Sequence, residues 1–98
     1  MARLPRIIAE NIPHHIVQRG NRSQKVFHSD DDKRHYLKIL RQNIKKYSVA
    51  IWAYCLMDNH VHFVCVPKTA QGLSKCFQET NKSYTRMINF REGWRGGM

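Results

Sequence analysis

Acidic residues are scarce in this chain. Seven Asp and Glu stand against seventeen Lys and Arg over 98 residues, for a formal charge of +10. That imbalance argues against acidic surface recognition of a basic partner and points to a polyanion, nucleic acid above all. Long hydrophobic runs are absent too. No stretch approaches the ~20 apolar residues of a membrane span, and Met1-Ala2-Arg3-Leu4-Pro5 lacks the apolar core of a secretory signal. A cytoplasmic protein without membrane contact is expected. Cysteine is sparse and odd in number, and Cys55, Cys65 and Cys76 have no C-x-x-C spacing. This excludes a disulfide framework or a zinc knuckle and leaves three small buried hydrophobes. No internal repeat or low-complexity tract appears. The 42% hydrophobic content suits one domain over residues 1–98. A chain of this size buries roughly 60–70% of its unfolded surface, enough for one core.

Residues 1–13, with Arg3 and Arg6 among apolar positions and Pro13 at the end, read as an extended arm. His14-His15-Ile16-Val17-Gln18-Arg19 is β-prone and closes on the turn pair Gly20-Asn21. Gln18 and Arg19 fall at the end of that strand, and Gln18 is expected to point toward the histidine pair of the later strand. Ser29 before Asp30-Asp31-Asp32 is a helix start, because its hydroxyl caps free amides and early carboxylates oppose the dipole. Capping accounts for the aspartates better than metal binding does. Tyr36, Leu37, Leu40, Ile44 and Tyr47 then form one apolar stripe.

From Val49 to Met57 every residue is apolar or aromatic, the pattern of a strand buried on both faces. Asp58-Asn59 turns the chain and His60 to Val66 returns antiparallel, stopped by Pro67. A linker, residues 68–72, leads to a second helix from about Leu73, with Leu73, Phe77, Tyr84, Met87 and Ile88 on its apolar stripe. That helix fades between Asn89 and Gly93, and Trp94 to Met98 is too short and glycine-rich for another element. The order β-α-β-β-α predicts an α+β, ferredoxin-like (RRM-like) antiparallel sheet, two helices on one face, without the last strand.

The chemistry concentrates at His60-Val61-His62. Residues two apart on a strand share a face, so both imidazoles project together while Val61 enters the core. Two neutral imidazoles on a rigid face make a two-point mount for a divalent ion.

The run Tyr54-Cys55-Leu56-Met57-Asp58-Asn59-His60-Val61-His62-Phe63, with Ile12 to Asn21 before it, resembles the HUH-type single-strand DNA transposases. It looks closest to the REP-associated tyrosine transposase branch, which commonly reads M-P-N-H-V-H where this chain has M-D-N-H-V-H. Tyr84 to Phe90 and the basic end Arg91 to Gly96 share the likeness, which covers essentially the whole chain. The resemblance implies that His60 and His62 hold Mg2+ or Mn2+ against the scissile phosphate of single-stranded or hairpin DNA. A tyrosine then attacks, leaving a 5′-phosphotyrosine and a free 3′-hydroxyl. It further implies a homodimer.

In that branch the nucleophile sits on a later helix, in a stretch resembling Y-I-x-x-N-P-V, which these 98 residues do not contain. The chain therefore resembles the N-terminal two-thirds of a family domain, truncated before the tyrosine helix. Tyr84, on a helix after the histidine strand, is the best internal substitute, yet it lies on the core stripe. Arg19, Asn21, Arg22, Lys25, Lys82 and Arg86 are the candidate DNA contacts. Two alternatives stand beside this reading. One is a non-catalytic RRM-like module stacking bases on Trp52, Tyr54 and Phe63, although no RNP-like signature is present. The other is a dimerising inhibitor of full-length transposases.

Overall fold

The Ser29 hydroxyl accepts the Asp32 amide at 3.2 Å and opens helix α1, Asp30–Tyr47, as its sequence predicts. The computed structural model describes residues 8–19 and 26–92. Around α1 lie strands β1 (His14–Arg19), β2 (Val49–Leu56) and β3 (His60–Pro67) and helix α2 (Ala70–Glu92), giving the expected β-α-β-β-α order. The sheet is antiparallel, with spatial order β1-β3-β2, so β3 is its centre. This is an α+β fold with the ferredoxin-like arrangement of the elements present.

β3 alternates without a break. Val61, Phe63, Cys65 and Pro67 are buried, while His60, His62, Val64 and Val66 are half-exposed. The buried set meets the helices: Phe63 lies 5.2 Å between ring centroids from Phe77 of α2 and 6.4 Å from Tyr36 of α1. Ile16, Leu40, Leu73, Cys76, Tyr84 and Ile88 complete this single core. Burying each such side chain contributes ~1.5–3 kcal/mol, so one face of β3 supplies much of the cohesion. Burial raises the Cys65 thiol to about 11 and the Cys76 thiol to about 12, so both are inert apolar fillers.

The segment just before α1 is a second source of cohesion. Phe27 is buried edge-on against Tyr36 and Tyr84. The Val26 and Phe27 amides both donate to the Asp58 carbonyl, at 2.6 and 3.0 Å. Tyr84 donates its hydroxyl to the Val26 carbonyl at 2.7 Å, and Lys33 pairs with the Asp58 carboxylate at 3.6 Å. The β2–β3 turn is thus tied to both helices.

Four expectations need correction. β2 is an edge strand, and only Val49 in it is buried. Its register slips between Ile51 and Ala53, which places Trp52 at a bulge, 66% exposed, with Tyr54 at 56%. An apolar run cannot distinguish a central strand from an edge one. Cys55 accordingly is exposed rather than buried. The second helix starts three residues earlier than Leu73: Thr69 caps it through the Gly72 amide at 2.9 Å. A Cβ on Gly72 would lie 2.8 Å from the Tyr47 carbonyl oxygen, so glycine lets α2 begin against the end of α1. Finally, Gln18 does not face the histidines. It is 2% exposed on the core side and accepts from Asn81, which in turn accepts from Tyr36.

Asp32 also exceeds its expected capping role. It is fully buried, accepts the His28 amide at 2.9 Å, and is forked by the Arg91 guanidinium. That hydrogen-bonded pair, chiefly Arg91 itself, holds the Asp32 carboxyl below its usual range. Of the expected N-terminal arm, residues 1–7 lie outside the described residues, as do the Gly20-Asn21 turn and the end from Gly93. Residues 8–13 are partly turned rather than extended, with Asn11 at φ 60° donating its amide to the Pro67 carbonyl at 2.8 Å.

Candidate metal and DNA site on the open sheet face

Helices cover one side of the sheet, and β3 turns His60 and His62 to the other. Antiparallel register brings further residues to that open face. Arg19 lies opposite His60, Val17 and Cys55 flank His62 from β1 and β2, and His15 and Ala53 flank Val64. His62 is the hub. Its ring centroid is 4.8 Å from that of His60, edge to face, and 5.3 Å from that of His15, stacked at 18°. His15 Nε2 lies 3.1 Å from His62 Nδ1. His15 was not singled out by its sequence as a site residue. Its parity with Val17 and Arg19 is legible, but the register that sets it beside His62 is not.

Hydrogen bonding gives His60 a defined face. Its Nδ1 lies 2.6 Å from Asn59 Oδ1, an oxygen that can only accept, so Nδ1 carries the proton and donates. Nε2 then retains its lone pair. The His62 imidazole is held below its usual pKa, first by desolvation and then by the charges of His60, His15 and Arg19. The shift favours the neutral imidazole, the form a metal requires. Among the described residues no three His, Cys, Asp or Glu side chains converge on a common ion position. The pair is a two-point mount whose remaining ligands must be water, substrate oxygens or groups beyond these residues.

The other sequence candidates distribute unevenly. Arg19 is exposed on the histidine face. Lys82 and Arg86 are exposed on α2, which belongs to the layer behind the sheet, so the fold does not gather them with the histidines. Asn21, Arg22 and Lys25 lie outside the described residues. Tyr84 is 3% exposed, its hydroxyl is committed to Val26, and burial raises its pKa far above the ordinary phenol. Of the RRM-type aromatics, Phe63 is fully buried in the core. Tyr54 shares a groove with Leu37, Leu40, Arg41 and Ile44 on the α1 side.

One comparison decides the family. The model of the family described as "Transposase IS200 like" matches residues 8–95, nearly the whole chain. The chain belongs to the IS200-like transposase family. No curated protein matches it. As a transposase-family chain it has DNA as its partner, in keeping with its charge of +10. The family generally depends on divalent metal. No helix among the described residues is long and apolar enough to cross a membrane.

Proposed function

We propose that the open sheet face of this IS200-like transposase binds single-stranded or hairpin DNA and holds Mn2+ or Mg2+ on His60 and His62. The observation that carries this reading is the pairing of two adjacent imidazoles on the rigid central strand, one of them with its Nδ1 engaged by Asn59 and its Nε2 lone pair free. An imidazole pair suits Mn2+ better than Mg2+, which prefers oxygen ligands. When bound there, the ion supplies Lewis-acid stabilisation of a phosphoryl oxygen. Arg19, opposite His60, places a permanent cation where the DNA backbone would pass. Asn21, Arg22 and Lys25 follow it in sequence and are assigned to the same contact. Lys82 and Arg86 meet only DNA that wraps to the helical side.

Strand cleavage through a 5′-phosphotyrosine requires a tyrosine from outside these 98 residues. Tyr36 and Tyr84 are core residues, Tyr47 is half-buried at the end of α1, and Tyr54 leans towards α1. The reading also includes a homodimer and a cytoplasmic location. β1 and β2 each pair on one side only among the described residues, which leaves two sheet edges for a second chain. The RRM-like alternative loses support, because two of its three aromatics, Phe63 and Tyr54, lie on the helix side of the sheet. The dimerising-inhibitor alternative would follow if the chain bound relatives but not DNA.

The test is fluorescence anisotropy of a labelled hairpin oligonucleotide against this chain. Affinity should fall steeply with salt, by a slope of about 0.7 per neutralised phosphate for single strands. Mn2+ should tighten binding in the native chain and have no effect in His60→Ala/His62→Ala. Equal Mn2+ response in both proteins would overturn the metal assignment. A denaturing gel run on the same mixtures should show no covalent adduct. An adduct mapping to Tyr36, Tyr47, Tyr54 or Tyr84 would overturn the placement of the nucleophile.

A further inference from the structure

The contact between His15 and His62 carries a consequence for which nitrogen of His62 is available. His15 Nε2 and His62 Nδ1 are 3.1 Å apart, and a single proton must lie between them. Two arrangements are possible for neutral rings. If His15 donates, the His62 proton must reside on Nε2, and that nitrogen has no lone pair to offer. If His62 donates from Nδ1, its Nε2 is free. The surroundings favour the second. His15 is exposed at the sheet edge, so its own Nδ1–H can be hydrated at no cost. His62 is the less exposed of the two rings, with Cys55, Ala53 and Val64 beside it, so it has the greater need of a protein acceptor for its Nδ1–H.

We propose that His15 is a positioning residue that holds His62 as the Nδ1–H tautomer and so presents its Nε2 to the open face. The proposal rests on the metal reading above for its purpose, although the tautomer itself exists without any ion. It gives the two histidines matching supports. Asn59 accepts from His60 Nδ1 through the adjacent residue in the chain, and His15 accepts from His62 Nδ1 across the β1–β3 ladder. Supports of this kind fix ring orientation as well as tautomer, and their loss typically costs about 10–100-fold in metal affinity. The stacked ring, at 18°, adds a second restraint on the His62 side-chain rotation.

The experiment reads imidazole nitrogens directly, by long-range 1H–15N correlation on the 15N-labelled chain near pH 8, without metal. In the native chain His62 should show a protonated Nδ1 and an unprotonated Nε2. His15→Phe keeps a flat ring on His62 but removes the acceptor, so the His62 proton should move to Nε2. His15→Gln restores an acceptor oxygen, and the Nδ1–H signature should return. A native His62 protonated at Nε2, or a signature unchanged in His15→Phe, would overturn the proposal. Mn2+ titration of the same three proteins should give a roughly 10–100-fold weaker affinity for His15→Phe and recovery for His15→Gln. A native chain that shows the Nδ1–H signature yet binds no Mn2+ would sustain the His15 lock and refute the metal reading, so the two failures are distinguishable.

Discussion

The two faces of β3 differ more than any two regions of the molecule. On one side Val61, Phe63 and Cys65 are fully buried under both helices. On the other, His60 and His62 stand half-exposed within a three-imidazole group. The period of two therefore assigns cohesion and chemistry to alternate residues of one strand. Substitutions on one face should act on stability, and those on the other on ligand binding. Ties from Tyr84, Val26 and Lys33 to the β2–β3 turn connect the faces, because that turn carries Asn59 and ends at His60.

The largest expected effect comes from Phe63→Ala, which removes the ring shared by Tyr36 and Phe77 and should cost about 3–5 kcal/mol in urea unfolding. His62→Ala, one residue away, should change stability by less than ~1 kcal/mol, the scale of a surface substitution, while weakening Mn2+ binding. Comparable losses from both would break the contrast between the faces. Next is Asp32→Ala. It leaves the Arg91 fork and the His28 amide without their buried acceptor and should cost about 2–4 kcal/mol. The pH dependence carries the same sign. The folded pKa of Asp32 lies below the unfolded value, so its stabilisation is present at neutral pH and is lost as pH falls below about 4 through the folded pKa. Asp32→Ala should flatten that acid limb of the stability curve.

Tyr84→Phe should have the smallest effect, about 1–2 kcal/mol from leaving the Val26 carbonyl unpaired. Its DNA affinity should be unchanged at temperatures where the chain is folded. A loss of hairpin binding without a loss of stability would give Tyr84 a part in the site that its burial denies.

Local signals in the sequence were legible wherever chain neighbours decide the outcome. The Ser29 cap, the α1 stripe and the β3 alternation all follow from residues within a turn or two of one another. What depended on partners distant in sequence was not. The exposure of β2 arises from its place at the edge and from the bulge at Trp52. Gln18 turned inward because Asn81, 63 residues away, completes its hydrogen bonds. Asp32 looked like a third capping carboxylate because Arg91 lies 59 residues on. His15 belongs to the same class, since its role depends on the β1–β3 register. The histidine pair was readable for the opposite reason: both residues lie on one strand, where spacing alone settles their common face.

Site-selective broadening by Mn2+ tests the central claim most directly. At substoichiometric Mn2+, the imidazole resonances of His60 and His62 should broaden first, followed by His15, while His28 and His35 in and before α1 remain sharp. Uniform broadening of all the histidines, or loss of His28 and His35 ahead of the β3 pair, would contradict the assignment of the open sheet face as the metal mount.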